Sequence, residues 1–328
     1  MAVGSVLYPT LVDAAKLLNP DGSVANVVEI LSQQNDILEE MVWVEANGPV
    51  SHRTTIRSGL PAATWRKLNY GVQPTKATTV QVTDTIGDLE AYSDVDKALT
   101  DLAGDPIAFR YSEDAAHIEG MRNELFQTLI YGNEGTEPEA FTGLTPRYNL
   151  STAENGLNVI KHGGVGADNA SIWLIVWGPN TVHGIYPKGS MVGLEVEDKG
   201  QVTLLDAADG KYEGYETHFV WKAGLCVRDW RYAVRICNID ASDLATLTNT
   251  DEVIVSMIRA LERVPNLNAG RPAFYMNRAV REAVRLGANE KASSQITVEN
   301  VAGQPVMRFG GVPVRRCDAL TIAEDLVS

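Results

Sequence analysis

A basic segment lies between two acidic ones in the first 124 residues, and this pattern restricts how the chain can fold. Residues 51–80 contain no Asp or Glu and carry five cations: Arg53, Arg57, Arg66, Lys67 and Lys76. Residues 1–50 carry seven acids against one lysine, and residues 84–124 carry eleven acids against three cations. A basic segment of one copy attracts an acidic segment of another, so this order of charges favours contacts between copies of the chain. The pattern therefore indicates assembly before it indicates chemistry.

Two β-like stretches flank the middle of the basic segment. Residues 52–57 and 78–86 are rich in β-branched residues that alternate with polar ones, which predicts two strands. The long connection between them contains Gly and Pro, and a connection of that length is uncommon inside a compact domain. We therefore expect a hairpin that extends beyond the body of the protein. Because a lone hairpin cannot bury Leu60, Trp65 and Tyr70 at its far end, a partner is expected to cover them.

A long helix follows the second acidic segment. Asp105 and Pro106 are typical of the N-cap and the first turn, and Gly132 is typical of the residue after the C-terminus. Twenty-six residues at 1.5 Å each predict a rod of roughly 39 Å. The apolar stripe expected on one face consists of Ile107, Tyr111, Ala115, Ile118, Met121, Leu125 and Leu129.

The second half of the chain is rich in strands and then alternates helix with strand. Residues 171–240 read as successive strands, and the run 225–238 is long enough to form one bent or continuous strand. Residues 250–315 alternate two helical patterns with strand patterns, including one strand over 306–315. This alternation predicts a small α/β layer.

Composition excludes several classes of function. The chain has 328 residues and a net charge of −14, with a pI near 4.8, so the broad basic footprint of a nucleic-acid-binding surface is missing. The three cysteines are odd in number and form no C-x-x-C pair, which favours a reducing compartment such as the cytosol during folding. No secretory signal or membrane-spanning run is evident, so no membrane association is expected.

Signatures of enzymes and metal sites are missing as well. His162, His183 and His218 are scattered through the strand-rich half without the short spacing of metal ligands. Cys226 and Cys237 are most simply read as buried thiols. Known catalytic motifs are not found. We therefore predict no catalytic residue, no cofactor and no metal site.

Trp43 lies where a helical pattern gives way to an extended one, within residues 39–47. An apolar anchor is the simplest interpretation of this side chain. Two alternatives remain open with equal weight: packing in the core of its own subunit, and packing against a neighbouring subunit.

Several stretches, taken with the order of the predicted parts, resemble the major capsid proteins of tailed bacteriophages, which have the Hong Kong 97-like fold. The likeness is to a branch from short-tailed phages and covers nearly the whole chain. It is carried by residues 35–47, 60–71, 92–97, 129–133, 141–149 and 309–314, the last reading Phe-Gly-Gly-Val-Pro-Val.

The resemblance implies an α+β fold with named parts. Expected are an N-terminal arm over 1–50, an extended E-loop hairpin over 51–86, the spine helix and peripheral-domain strands over 87–242, and an axial-type helix and strand domain over 243–328. Residues 219–235 look like the strand ladder that closes the chain in the common form, yet they precede the α/β layer. This order predicts a rearranged connectivity.

The function implied by the resemblance is that of a shell-building subunit in the virion. Copies would assemble as hexamers and pentamers into an icosahedral shell that encloses double-stranded DNA without sequence-specific binding. A decoration or cement protein, a separate scaffold protein and a portal are further expected partners. The predicted inter-subunit contacts are Arg53, Arg57, Leu60, Trp65, Arg66, Lys67, Tyr70, Lys76 and Trp43.

Three other functions are compatible with the sequence. An encapsulin-like nanocompartment with the same fold would enclose a cargo enzyme instead of a genome. A soluble enzyme with a strand-rich active site would be a monomer or small oligomer with a deep polar pocket. A decoration module is also conceivable, although 328 residues with a long helix is large for one.

Overall fold

The computed structural model describes residues 36–102, 105–153, 155–206, 209–247, 249–290, 296–301 and 304–327. Most of the predicted N-terminal arm lies outside these residues. The described chain divides into two compact units. The smaller unit contains residues 88–126 and 192–222, and the larger unit contains residues up to 87, 127–191 and the chain from 223 onward.

The elements are numbered in chain order. The helices are α1 (Ile37–Glu40), α2 (Lys97–Leu102), α3 (Pro106–Tyr131), α4 (Ala241–Ala245), α5 (Thr250–Arg263) and α6 (Arg278–Glu290). The strands are β1 (Trp43–Glu45), β2 (Ser51–Gly59), β3 (Thr78–Asp96), β4 (Val159–Lys161), β5 (Asn169–Trp177), β6 (Val182–Tyr186), β7 (Leu194–Leu205), β8 (Lys211–Val227), β9 (Ala233–Asp240), β10 (Arg271–Met276), β11 (Ile296–Val301), β12 (Gln304–Phe309) and β13 (Val312–Arg316).

Strand β5 forms the centre of the larger unit. All nine of its residues are buried, as expected for an apolar strand that is covered on both faces. Antiparallel partners flank it on either side, β9 with Trp173 opposite Arg235 and β10 with Leu174 opposite Phe274. Apolar side chains of β5, β9 and β10 join those of α5 and α6 in one core cluster. The α/β layer predicted for the second half is confirmed.

Strands of the larger unit come from distant parts of the chain. Strand β5 and its partner β9 belong to the sequence segment 87–242, whereas β10, the other partner of β5, belongs to the segment 243–328. The larger unit therefore draws its central strands from two of the four predicted segments. The names attached to those segments remain predictions.

The smaller unit contains the end of β3, helix α2, most of α3 and the hairpin of β7 and β8. Strands β7 and β8 pair antiparallel from Leu194 opposite Trp221 to Leu205 opposite Lys211. The pairing shifts between Asp198 and Gly200, where Gly200 has a φ of +73° that favours glycine. Arg110 of α3 donates to Asp198 across 2.5 Å, which ties the helix to this hairpin.

Helix α3 confirms the predicted rod but not its whole apolar stripe. The Asp105 side chain accepts hydrogen bonds from the backbone amides of Ile107 and Ala108 at 3.1 Å each, as an N-cap residue does. Met121, Leu125 and Leu129 are buried, whereas Ile107 and Tyr111 are exposed. Ala115 is exposed as well, so the stripe was wrong in the first three turns, where Phe109 is buried instead.

Two predicted long strands are interrupted. The run 225–238 breaks between β8 and β9, because Asp229 accepts from the amide of Arg231 and caps a short 3₁₀ turn over Trp230–Tyr232. The run 306–315 is split by a turn at Gly310 and Gly311, whose φ values are +54° and +84°. The second interruption produces the antiparallel pair β12 and β13, whereas β8 and β9 pair with other strands.

Candidate assembly surface

Strands β2 and β3 form the predicted projecting hairpin. They pair antiparallel from Ser51 opposite Thr85 to Gly59 opposite Thr78. A side chain at Gly59 would place its Cβ 2.5 Å from the Thr78 hydroxyl oxygen, so glycine permits the close approach of the two strands there. Every residue from 60 to 76 is exposed. We call residues 60–76 the hairpin tip.

Local contacts organise the hairpin tip. The amide of Tyr70 donates to the carbonyl of Lys67 at 3.1 Å, and Asn69 between them has a φ of +64°. The Lys67 ammonium lies 5.2 Å from the centroid of the Tyr70 ring. Across the tip, the Thr75 hydroxyl donates to the Ala62 carbonyl at 3.0 Å. The tip therefore makes its own turn and cross-link without packing on the body.

Large apolar side chains of the tip face solvent. Trp65 is fully exposed, and Leu60 and Leu68 are 80% and 84% exposed. Tyr70 and Val72 are also largely exposed. Leu60, Trp65 and Tyr70 were predicted from the sequence to be exposed, whereas Leu68 and Val72 were not. Both lie in the same segment, and that position could have indicated their exposure. Such a group of apolar side chains on a protruding loop is typical of a protein interface.

The five cations run along the whole hairpin. Arg53 and Arg57 lie on β2, Arg66 and Lys67 lie in the tip, and Lys76 lies just before β3; all five are exposed. Arg53 is fixed through its backbone, which exchanges hydrogen bonds of 2.9 Å and 2.6 Å with the Asn47 side chain. The structure thus presents the basic charge and the apolar tip on one projecting element.

A buried ion pair anchors the root of the hairpin. Asp84 of β3 lies 2.8 Å from the Arg147 guanidinium, and the Asp84 side chain is 2% exposed. Arg147 also donates to the carbonyls of Thr142, Gly143 and Leu225. One arginine therefore connects β3 to a loop and to β8, and this network stiffens the base from which the tip projects.

Trp43 lies apart from the tip. It sits on β1, which pairs parallel to β6 with Trp43 opposite Gly184. A Cβ added at Gly184 would lie 2.7 Å from the Trp43 ring, so the ring packs on the glycine backbone of its own chain. Part of the side chain stays accessible. This packing favours the intrachain alternative for Trp43.

The smaller unit carries a surface of opposite charge. Ile107 and Tyr111, one helical turn apart on α3, are 67% and 72% exposed, and Leu102 of α2 is 67% exposed. Exposed acids on the same unit include Asp88, Glu90, Asp101, Asp105 and Glu124. We call these eight residues the spine surface. It combines apolar side chains with negative charge, which complements the hairpin tip.

Three side chains of the larger unit are close enough to hold a metal ion. His52, His183 and Cys226 each place one ligand atom within 4.8 Å of the others. They come from β2, β6 and β8, so only the fold brings them together. His183 was predicted to be one of several scattered histidines and Cys226 to be a buried thiol, so this group was not predicted from the sequence.

No helix among the described residues has the length and apolar character needed to cross a membrane. A comparison with curated proteins finds no match. The sequence profile of the family "Major capsid protein GP7" matches residues 19–328.

Solved phage structures share the fold. A chain of bacteriophage Epsilon15 is 32% identical, with a TM-score of 0.79 and complete coverage of both chains. The capsid of bacteriophage JBD30 is 10% identical, with a TM-score of 0.51 over 96% of this chain and 99% of that chain. An encapsulin of Synechococcus elongatus is 12% identical, with a TM-score of 0.43 over 66% of this chain and 93% of that chain, too distant to indicate function.

The fold is the Hong Kong 97-like capsid fold, as the resemblance implied. The family profile covers all but the first 18 residues, and the Epsilon15 chain matches over the full length at substantial identity. Both findings lead to one assignment: the chain belongs to the major capsid protein GP7 family, and it is a shell protein of a tailed-bacteriophage capsid.

Proposed function

We propose that the hairpin tip of one subunit binds the spine surface of a neighbouring subunit when the capsid shell assembles. The observation that carries this proposal is the complete exposure of residues 60–76, which include Trp65 and four other large apolar side chains. Exposed apolar side chains grouped in this way are typical of a surface that a partner covers, and here the proposed partner is another copy of the chain.

Charge and apolar burial have different roles in this contact. Each exposed ion pair between the hairpin cations and the spine acids contributes roughly 0–1 kcal/mol. The charges therefore set the register and the choice of partner. Full burial of a Trp side chain removes about 150–250 Å² from water, which at ~25 cal/mol per Å² is at most about 4–6 kcal/mol. Trp65 is therefore the main source of affinity among the proposed contacts, with Leu60 and Tyr70 beside it.

The other proposed contacts follow from position. Arg53 and Arg57 lie along β2, and Arg66, Lys67 and Lys76 surround the apolar tip. Trp43 contributes only through the part of its ring that its own chain leaves accessible. Because subunits of one shell occupy both pentamers and hexamers, the hairpin must change direction slightly between them, and Gly48, Pro49, Gly59 and Gly71 are the proposed hinges.

The remaining functional assignments are proposals that rest on the family. The shell encloses double-stranded DNA, and a net charge of −14 suits a container that does not bind its contents tightly. The subunit is made in the host cytoplasm, acts without catalysis, and works with a scaffold, a portal and a cement protein.

Substitution of Trp65 tests the proposed contact. Trp65→Ala is expected to raise the subunit concentration needed for shell assembly about 30-fold, because losing a central aromatic contact costs about 2 kcal/mol or more. The stability of the isolated subunit should not change, since Trp65 packs on nothing in its own chain. Light scattering against concentration measures the first quantity, and urea denaturation measures the second.

Leu157→Ala provides the matched control. Leu157 is 73% exposed and lies outside the hairpin, so its loss reports the general effect of removing an exposed apolar side chain. We expect its assembly threshold to equal that of the wild type. Equal thresholds for wild type and Trp65→Ala would refute the role given to the tip.

A further inference from the structure

We propose that His52, His183 and Cys226 form a site for a divalent transition-metal ion, of which Zn²⁺ is the best fit, at the root of the projecting hairpin. Nothing in the capsid assignment requires such a site, so the inference goes beyond the proposed assembly function. It rests on the meeting of three ligand side chains that the sequence holds far apart.

The sheet brings the three ligands together. His183 of β6 lies directly opposite Cys226 of β8 in an antiparallel pair, so both side chains point to the same face. His52 stands at the start of β2, and its ring centroid lies 6.0 Å from that of His183. The backbone amide of Asn47 donates to His52 Nδ1 at 3.2 Å. This bond places the start of β2 beside the end of β1, which pairs with β6.

A buried and incompletely bonded histidine lies at the same place. At most one ring nitrogen of His183 is satisfied, by the backbone of Gly178, although His183 is only 1% exposed. The buried Asp84 side chain lies beside it and is hydrogen-bonded to the Cys226 thiol. Buried polar atoms are nearly always satisfied, so the remaining ring nitrogen of His183 calls for an explanation. A bound cation would satisfy His183 directly and would leave Asp84 Oδ2, or a water molecule, as the fourth ligand.

The ligand set suits zinc. Imidazole nitrogen and thiolate sulfur are its preferred ligands, with bonds of about 2.0–2.3 Å in a tetrahedral site. Ligands at those distances lie about 3.5 Å apart. The three ligand atoms lie within 4.8 Å of one another, so they must move about 1 Å closer together, which rotation of the side chains can supply. Coordination by His52 would replace its hydrogen bond to Asn47.

The ionisation of these groups is compatible with metal binding. Burial, followed by the nearby His52, lowers the pKa of His183 to about 4, although the Gly178 backbone acts in the opposite direction. The imidazole is therefore neutral at pH 7 and retains a lone pair. Burial, followed by Asp84, raises the pKa of the Cys226 thiol. The metal must therefore displace one proton from sulfur, and a coordinating cation does so.

Metal titration of the purified full-length chain tests the site. After treatment with a chelator, the wild type is expected to bind one Zn²⁺ per chain and to gain thermal stability. Co²⁺ in place of Zn²⁺ should produce a near-ultraviolet thiolate-to-metal absorption band. Cys226→Ser should abolish that band and weaken Zn²⁺ binding about tenfold or more, and His183→Gln should weaken it similarly.

Cys237→Ser is the matched control, because Cys237 is an equally buried thiol on β9 outside the group. It should bind Zn²⁺ as the wild type does and keep the cobalt band. A wild type that takes up no Zn²⁺ would contradict the site and indicate a buried water instead. Zn²⁺ binding by Cys226→Ser that equals binding by the wild type would also contradict it. If the variants do not fold, the cobalt spectrum of the wild type decides alone. Shell formation, scored separately by electron microscopy, does not depend on this result.

Discussion

Replacement of residues 60–77 by an Asn-Gly turn is expected to give a subunit that folds normally and forms no shells. The deletion removes the whole hairpin tip and joins Gly59 to Thr78, which already face each other across the ladder. Asn-Gly is the preferred two-residue connection for such a pair. Because residues 60–76 are exposed, their loss removes no packing from the body. Circular dichroism and urea denaturation should match the wild type, whereas electron microscopy should find no shells.

Mixing experiments sharpen this prediction. The shortened subunit keeps its spine surface and can still accept the tip of a wild-type neighbour, but it offers no tip in return. It should therefore reduce shell yield when it is added to wild-type subunits. A shortened subunit that builds normal shells would contradict the proposal, and one that unfolds would show that the tip supports the body.

Removal of Glu324 is expected to produce the largest loss of subunit stability. Glu324 lies 2.8 Å from Arg235, and the two side chains are 4% and 2% exposed. Tyr131 donates to the same carboxylate at 2.6 Å, and the Ser171 hydroxyl donates to it as well. Burial and Glu324 raise the pKa of Tyr131, which therefore stays a neutral donor. Glu324→Ala leaves Arg235 buried and uncompensated, which costs about 3–5 kcal/mol.

Denaturant unfolding of the isolated subunit measures this loss. Since whole domains are stable by only about 5–15 kcal/mol, the change should move the midpoint strongly. Arg278→Ala is the control, because Arg278 and Asp318 are similarly close, 2.7 Å apart, but the Arg278 side chain is 63% exposed. It should unfold at nearly the wild-type midpoint. Similar losses for both variants would show that burial is not what makes the Arg235 pair important.

Local signals in the sequence predicted the parts of the fold that depend on neighbouring residues. Asp105, Pro106 and Gly132 mark the ends of α3, since capping is decided within one turn. The break at Asp229–Tyr232 was missed because the residues around it favour strands, and only the capping bond of Asp229 ends β8. The pairing of β5 with β10 could not be predicted, because the two strands lie far apart in sequence.

In the candidate site, too, the local features could be predicted from the sequence and the tertiary ones could not. The hairpin and its cations were predictable, because a basic, Gly- and Pro-containing segment between two strand patterns is a local feature. The exposure of Ile107 and Tyr111 was not, since helical periodicity shows which residues share a face but not what covers that face. The group of His52, His183 and Cys226 depends on three strands of one sheet, and no spacing in the sequence reveals it.

The most direct test of the account is a cryo-electron microscopy map of the assembled shell at a resolution that shows side chains. We expect residues 60–76 of each subunit to lie on a neighbouring copy, with Trp65 buried and the five cations of the hairpin near acids of that neighbour's spine surface. A map in which the tip touches only its own subunit, or stays in solvent at every position of the shell, would contradict the central claim.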